Sequence, residues 1–386
     1  MTPSGDPSQG PSITEGQKLL QDEVRRFCEE RIRPGVLERD RQHEFPGEIL
    51  GELGEMGLLG MTVAEEYGGT GLSGLDLVIV VEEIARISPA VAVSLSVSNS
   101  VCCWPINRFG TDDLKERVLP DLASGSVLGG FALTEPGSGS DAASMQSTAV
   151  RDGADWILNG EKAWITNAGA AQYFVVFART DTAAGHRGIS AFVVPAESPG
   201  LSIGAQEEKL GLRASLTASV HLHDCRVPAE NLLGEMGQGF GIALATLDHS
   251  RLGIAAQAVG IHRRALELAV EYAHQRVQFN RPIAEFQAIR FSIAEMSTHL
   301  EAARVLTRAA AAAESTPIAG RLAAEAKLFA SEAANRACWD SLQIHGGNGF
   351  SEEYEIARLY RDVRVTTIYE GTSEMQRRVI ARHLLQ

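Results

Sequence analysis

Apolar positions recur at three- and four-residue intervals over the first third of the chain. Leu20, Val24, Phe27, Cys28 and Ile32 form one such stripe, which Pro34-Gly35 ends, and residues 46–59 and 75–87 repeat the pattern. From about Leu128 to Leu233 the period changes to two and the residues to Val, Ile, Phe, Trp and Thr, as in Tyr173-Phe174-Val175-Val176-Phe177 and Ile189-Ser190-Ala191-Phe192-Val193-Val194. Beyond Gly239 the chain is rich in Ala, Leu and Glu. Long periodic segments over 242–275, 283–314 and 317–344 are broken at Asn280-Arg281-Pro282 and Ser315-Thr316-Pro317. The pattern predicts an α+β protein: a disordered tail over 1–13, an N-terminal all-α domain over 14–127, a middle antiparallel β domain over 128–236, and a C-terminal four-helix bundle over 237–386.

Composition narrows the function classes. The 386 residues carry 35 Lys and Arg against 49 Asp and Glu, a net charge of −14, which repels phosphate backbones and anionic lipid. Neither nucleic acid nor membrane is an expected partner. No apolar run is expected to reach the ~18–20 residues of a membrane span. Five cysteines with no C-x-x-C pair fit a reducing, cytoplasmic setting rather than a disulfide or zinc scaffold. The opening MTPSGDPSQGPS lacks the basic flank and apolar stretch of a targeting segment, so none is expected.

Several segments could carry chemistry. Gly69-Thr70-Gly71-Leu72-Ser73-Gly74 has the letters of a dinucleotide fingerprint, but residues 61–66 before it are too polar for a buried parallel strand, and that reading is rejected. Residues 131–141 run from a short apolar strand into a Gly/Ser loop whose backbone N–H groups and hydroxyls could reach a flat ring or a phosphate. Trp164 and Thr166 share one face of a strand by the period-two rule, an aromatic surface beside a hydroxyl. In Tyr369-Glu370-Gly371-Thr372 a carboxylate stands in apolar company, where desolvation would raise its pKa toward that of a general base. The pair His221/His223 lacks a third ligand, so no metal is expected, and Asp248-His249-Ser250 is too contiguous for a hydrolase triad. Arg276 and Arg281 flank Phe279 and could grip a phosphate or cap a helix.

Taken in order, Ala64-Glu65-Glu66-Tyr67-Gly68-Gly69, Leu133-Thr134-Glu135-Pro136-Gly137, Trp164-Ile165-Thr166-Asn167, residues 276–282 (RVQFNRP) with Phe286-Gln287, and Ile368-Tyr369-Glu370-Gly371-Thr372 resemble the acyl-CoA dehydrogenase family over nearly the whole chain. The resemblance implies FAD as cofactor. Phe131, Leu133, Thr134, Trp164, Ile165 and Thr166 would line its isoalloxazine ring. Arg276, Phe279, Gln287, Gln343, Ile344, His345, Gly346 and Gly347 would hold its adenosine diphosphate half across a subunit interface, with Thr372 and Glu374 also at the cofactor. A homotetramer, a dimer of dimers, follows by the same resemblance. Ser140, Asp248 and Arg251 would contact the coenzyme A portion, and Gly371 the thioester.

Glu370 is then the base that removes the α-proton, with hydride leaving the β-carbon to give a trans-2-enoyl-CoA. Relatives with the base elsewhere carry Glu before the arginine matching Arg251; here Ser250 stands there. Asn280 replaces a glycine usual in the family, a change that Asn tolerates at φ > 0. The chain resembles short-chain or branched-short-chain members, with an electron-transfer flavoprotein as implied acceptor. Two alternatives on the same fold are a dehydrogenase acting on a carrier-protein thioester and an oxygen-using acyl-CoA oxidase or flavin monooxygenase.

Overall fold

The computed structural model describes residues 13–314 and 316–385. All but the last residue of the expected N-terminal tail lies outside the described residues. Helix α1 (Glu15–Phe27) opens on a capping box in which Thr14 and Gln17 satisfy each other's backbone N–H. A π turn over Cys28–Ile32 follows, then α2 (Val36–Gln42) and α3 (Gly47–Glu55). The glycine run after residue 66 is a tight return, not a phosphate cradle. Thr70 N, Gly71 N and Leu72 N donate to Gly60 O, Val63 O and Met61 O, and a Cβ on Gly69 would sit 2.2 Å from Val63 O.

Four more helices complete this region: α4 (Gly74–Ile87), α5 (Pro89–Val97), α6 (Trp104–Phe109) and α7 (Asp112–Ser124), with a π turn over Ser98–Cys103 joining α5 to α6. One expectation needs correcting here. Pro89–Phe109 is a continuous helical stretch of 21 residues, long and apolar enough to cross a membrane, but 94% of its apolar window is buried inside the protein. Polar Ser94, Ser96, Ser98, Asn99 and Ser100 interrupt the run in sequence and are all buried, so it is a central core helix.

The middle domain holds β1 (Leu128–Ala132), β2 (Thr148–Asp152), β3 (Asp155–Thr166), β4 (Ala171–Arg179), β5 (Ile189–Pro195), β6 (Leu201–Gln206), β7 (Thr217–Pro228) and β8 (Leu232–Leu233) in the order β6-β7-β3-β2-β4-β5-β8. The expected antiparallel pairing holds for most of this sheet. It fails at β1, which runs parallel to β4 with Phe131 opposite Val175, and at a single parallel bridge between β2 and β4. The long excursion through β2 and β3 supplies the crossover that parallel pairing requires.

Helix α8 (Gly239–Gln275) then runs to a hairpin of β9 (Val277–Gln278) and β10 (Arg281–Pro282), followed by α9 (Gln287–Ala312), α10 (Ala319–His345), α11 (Glu355–Val363) and α12 (Ser373–Leu385). One apolar core joins bundle and N-terminal helices, with Leu77, Val81 and Ile84 of α4 meeting Leu252 and Val259 of α8 and Ala330 of α10. Helices α4 and α8 approach until a Cβ on Gly260 would lie 2.4 Å from Glu82 O.

Candidate active site

Between α11 and α12 the chain makes a turn that an ordinary residue resists. Glu370 has φ 50° and Gly371 φ 92°, consecutive left-handed positions. Their carbonyls are held from below: Gln376 Nε2 donates to Glu370 O (3.2 Å) and Gly371 O (2.8 Å), and Lys327 Nζ donates to Gly371 O at 2.7 Å. Gln376 and Lys327 are both fully buried. The Oε2 of Glu370 is shut from solvent and has no hydrogen-bond partner. Desolvation pushes its pKa up to about 7, opposed by the Ser250 hydroxyl and by the Lys327 and Arg251 charges. Ser250 and Arg251 come from α8, and Arg251 is in turn paired with Asp248 one helical turn earlier.

Tyr369 connects this acid to the β domain. Its hydroxyl donates to Gln257 Oε1, and Gln257 Nε2 donates to Pro89 O at 3.0 Å. With Val365 and Phe131 of β1, its ring packs on Val93, Val97, Val101 and Leu212. Burial drives the phenol pKa well above its ordinary value. Phe131 and Tyr369 thus face one apolar cluster built on α5.

The loop after β1 is anchored by charge. Thr134 O accepts from Ala163 N at 2.9 Å, and the next side chain, Glu135, accepts from Gln146 N, Ser147 N and the ammonium of buried Lys162. Burial lowers the Lys162 pKa to about 8 despite that carboxylate. Between Lys162 and Ile165 the β3–β7 register breaks, and Trp164 takes φ 62° with its residue 61% exposed. Asn167, at φ 66° and fully buried, ties the end of β3 to Ser94 O and Gly129 O. Trp164 is exposed and Thr166 half-buried, on either side of buried Ile165 in the chain. A flat aromatic face beside hydroxyls and free of protein cover fits a planar aromatic cofactor.

Two expected lining residues do not offer their side chains. Leu133 packs in the core with Cys103 and Val118, and Ile165 in the sheet core with Phe174 and Val220, because the pleat turns them inward; only their backbone can face a ring. Ser140 is exposed on the same loop and Asp248 half-buried. A cleft of about 430 Å³ lined by Glu135, Pro136, Gly137, Gln146, Ser147 and Glu161 opens beside this loop, with Glu370 outside its lining.

The residues expected at an adenosine diphosphate lie at the other end of the bundle. Arg276, Gln287, Gln343, Gly346 and Gly347 are exposed, and Phe279 at the hairpin tip is 86% exposed at φ 54°. Asn280 takes φ 63°, the conformation that its glycine-like role requires. The side chains of Ile344 and His345 are buried, and His345 stacks on Tyr272 with ring centroids 4.3 Å apart. Asn348 Nδ2 also donates to Tyr272 OH, so the 343–347 run sits at the C-terminal end of α8. Arg251 lies 21 residues earlier on that helix, about 30 Å away at 1.5 Å per residue. One chain does not bring these residues to its own Glu370. Thr372 Oγ1 accepts from Met375 N at the start of α12, and Glu374 is exposed there with its carboxyl held below its usual range, first by a backbone N–H. Sequence reasoning missed Lys327, Gln376, Glu135, Lys162 and Gln257. The one legible signal was a lysine amid the small residues Ala323, Ala324, Ala326 and Ala330.

The chain matches the acyl-CoA dehydrogenase N-terminal domain over residues 14–126, the middle domain over 130–225 and the C-terminal domain over 237–385. It is 46% identical over 374 residues to an acyl-CoA dehydrogenase of Bacillus subtilis, covering 97% of this chain and 99% of that one. It is also 46% identical over 379 residues to the mitochondrial short-chain specific acyl-CoA dehydrogenase of Homo sapiens (98% and 92%). Among solved structures, butyryl-CoA dehydrogenase from Megasphaera elsdenii superposes with a TM-score of 0.95 at 43% identity (97% and 99%). A chain in a structure of the electron transferring flavoprotein of Acidaminococcus fermentans gives 0.96 at 43% (97% and 99%). An acyl-CoA dehydrogenase complexed with FAD from Bacillus anthracis gives 0.92 at 36% (97% and 68%).

Proposed function

This chain belongs to the acyl-CoA dehydrogenase family, and from that membership we propose that it oxidises an acyl-CoA thioester to the trans-2-enoyl-CoA, with Glu370 as the base. The cofactor of the family is FAD, which supplies the hydride acceptor when bound. Phe131, Thr134, Trp164 and Thr166 would hold its ring, and Arg276, Phe279, Gln287, Gln343, Gly346 and Gly347 of a second subunit its adenosine diphosphate half, a reading that the distance of these residues from Glu370 supports.

The observation that carries the assignment of the base is the enclosed, partnerless Oε2 of Glu370 with a pKa near 7. An α-proton of a thioester is weakly acidic, so its acceptor must be ionised yet basic near neutral pH. Glu370 meets both conditions. Tyr369, Val97 and Val101 exclude water beside it, and Asp248 and Arg251 stand where a coenzyme A chain would enter. Gln257, pinned between Pro89 O and the Tyr369 hydroxyl, holds the Tyr369 side chain in place.

The finer expectations remain part of this proposal. Exposed Val277, Phe279, Phe291 and Trp339 on the hairpin and bundle suit burial in a dimer of dimers. Five free, buried cysteines suit a reducing cytoplasm. Electrons would pass to an electron-transfer flavoprotein. The test is anaerobic addition of butyryl-CoA to the yellow holoenzyme. Wild type should bleach, and Glu370→Gln should keep FAD but slow bleaching by about 10³-fold or more; bleaching at the wild-type rate would refute the base.

A further inference from the structure

We propose that Lys327 is a positioning residue for this site: from α10 its ammonium grips the carbonyl of Gly371, the residue next to Glu370, and so keeps that carboxylate in place and ionised. The proposal rests on Glu370 being the base.

Two left-handed residues in succession, one of them Glu370, persist only where the surroundings over-determine them. Here the Gly371 carbonyl accepts from both Lys327 Nζ and Gln376 Nε2, filling both lone-pair directions. Gln376 shows that a neutral amide can hold this turn. A fully buried ammonium is far more costly to place than an amide unless an anion offsets it. The hydrogen bond that Lys327 makes goes to a neutral carbonyl, so its charge must be answered elsewhere. Glu370 is the foremost anion acting on it, ahead of Glu332 and Glu374, with Arg251 opposing. The charge therefore acts on the carboxylate, and the hydrogen bond on the turn.

The charge balance fits the reaction. Asp248, Arg251, Lys327 and ionised Glu370 sum to zero. When Glu370 takes the α-proton, the C–H electron pair stays with the substrate and the quartet becomes net positive as negative charge develops on the thioester oxygen.

The test uses FAD-loaded wild type, Lys327→Met and Lys327→Arg. Glu370 is titrated by infrared absorption of its protonated carboxyl, a band identified by its loss in Glu370→Gln, and flavin bleaching by butyryl-CoA is followed against pH. We expect Lys327→Met to keep FAD, to shift the Glu370 titration upward by about one pH unit or more, and to slow bleaching at pH 7 about fivefold or more. Lys327→Arg should restore most of both. An unshifted titration in Lys327→Met overturns the proposal while leaving Glu370 as base; wild-type bleaching in Glu370→Gln removes the base instead, and the infrared titration still reports on Lys327. Lys327→Gln is read in the same way should the Met variant not accumulate. Loss of the fold in both neutral variants would make Lys327 a packing residue and also overturn the proposal.

Discussion

Lys162 and Glu135 form a buried ion pair, Nζ to Oε1 2.7 Å, that fastens the loop carrying Thr134 to the strand carrying Trp164 and Thr166. Both side chains are almost wholly removed from water, and Glu135 spends its remaining capacity on two backbone N–H groups. Breaking one partner of such a pair strands the other charge, which costs roughly 3–5 kcal/mol. Lys162→Met and Glu135→Gln should each lose stability on that scale in urea denaturation, and the double variant less than the sum of the two. Single variants within about 0.5 kcal/mol of wild type would show that the pair holds nothing.

Glu370 predicts opposite pH trends in stability and in rate. Its carboxyl titrates near 7 in the folded protein against an ordinary 4.5. Below the lower value both states hold the proton and the full contribution is present. As pH rises toward 7 the unfolded chain releases it first, so this contribution to stability is lost, on the order of 3 kcal/mol in all. Bleaching by substrate should instead accelerate across the same window as the base ionises. Glu370→Gln should flatten the stability slope; an unchanged slope would place the titration in another group.

Gly69 separates the two readings of the glycine-rich turn. An added Cβ meets Val63 O at 2.2 Å and Val63 C at 2.5 Å, so Gly69→Ala should destabilise by about 1–3 kcal/mol. Gly139, with nothing within 4 Å of its Cβ position, should accept Ala with little change. Thermal melts of both variants check this. A stable Gly69→Ala protein that fails to bind cofactor would restore the phosphate-binding reading.

The order helices, sheet, helices was legible because the apolar period changes twice, at residues near 128 and 239, and a period reports local geometry directly. Glu370 was legible for a related reason: its apolar neighbours and adjacent glycine are contiguous in sequence. What supports it was not, since Lys327 and Gln257 lie 43 and 113 residues away and reach it only through the packing of α8 and α10. Leu133 and Ile165 show the complementary limit. A motif says which segment meets a ligand, and the pleat then decides which of its side chains turn away. The parallel placement of β1 on β4 was hidden because strand period is the same in either direction.

Helix α5 and the π turn after it have a consequence for how the reaction could be tuned. Phe131, proposed to line the flavin, and Tyr369, next in the chain to the proposed base, rest against the same Val93, Val97 and Val101. Under the proposed function that helix would act as a feeler gauge between hydride acceptor and proton acceptor, its side-chain thickness setting the gap that a substrate must span. Replacing a valine there would leave every reacting group intact and still change turnover, because the reaction is sensitive to separations of an ångström. Variation in rate among chains of this fold can therefore arise from residues that take no part in the proton or hydride transfer.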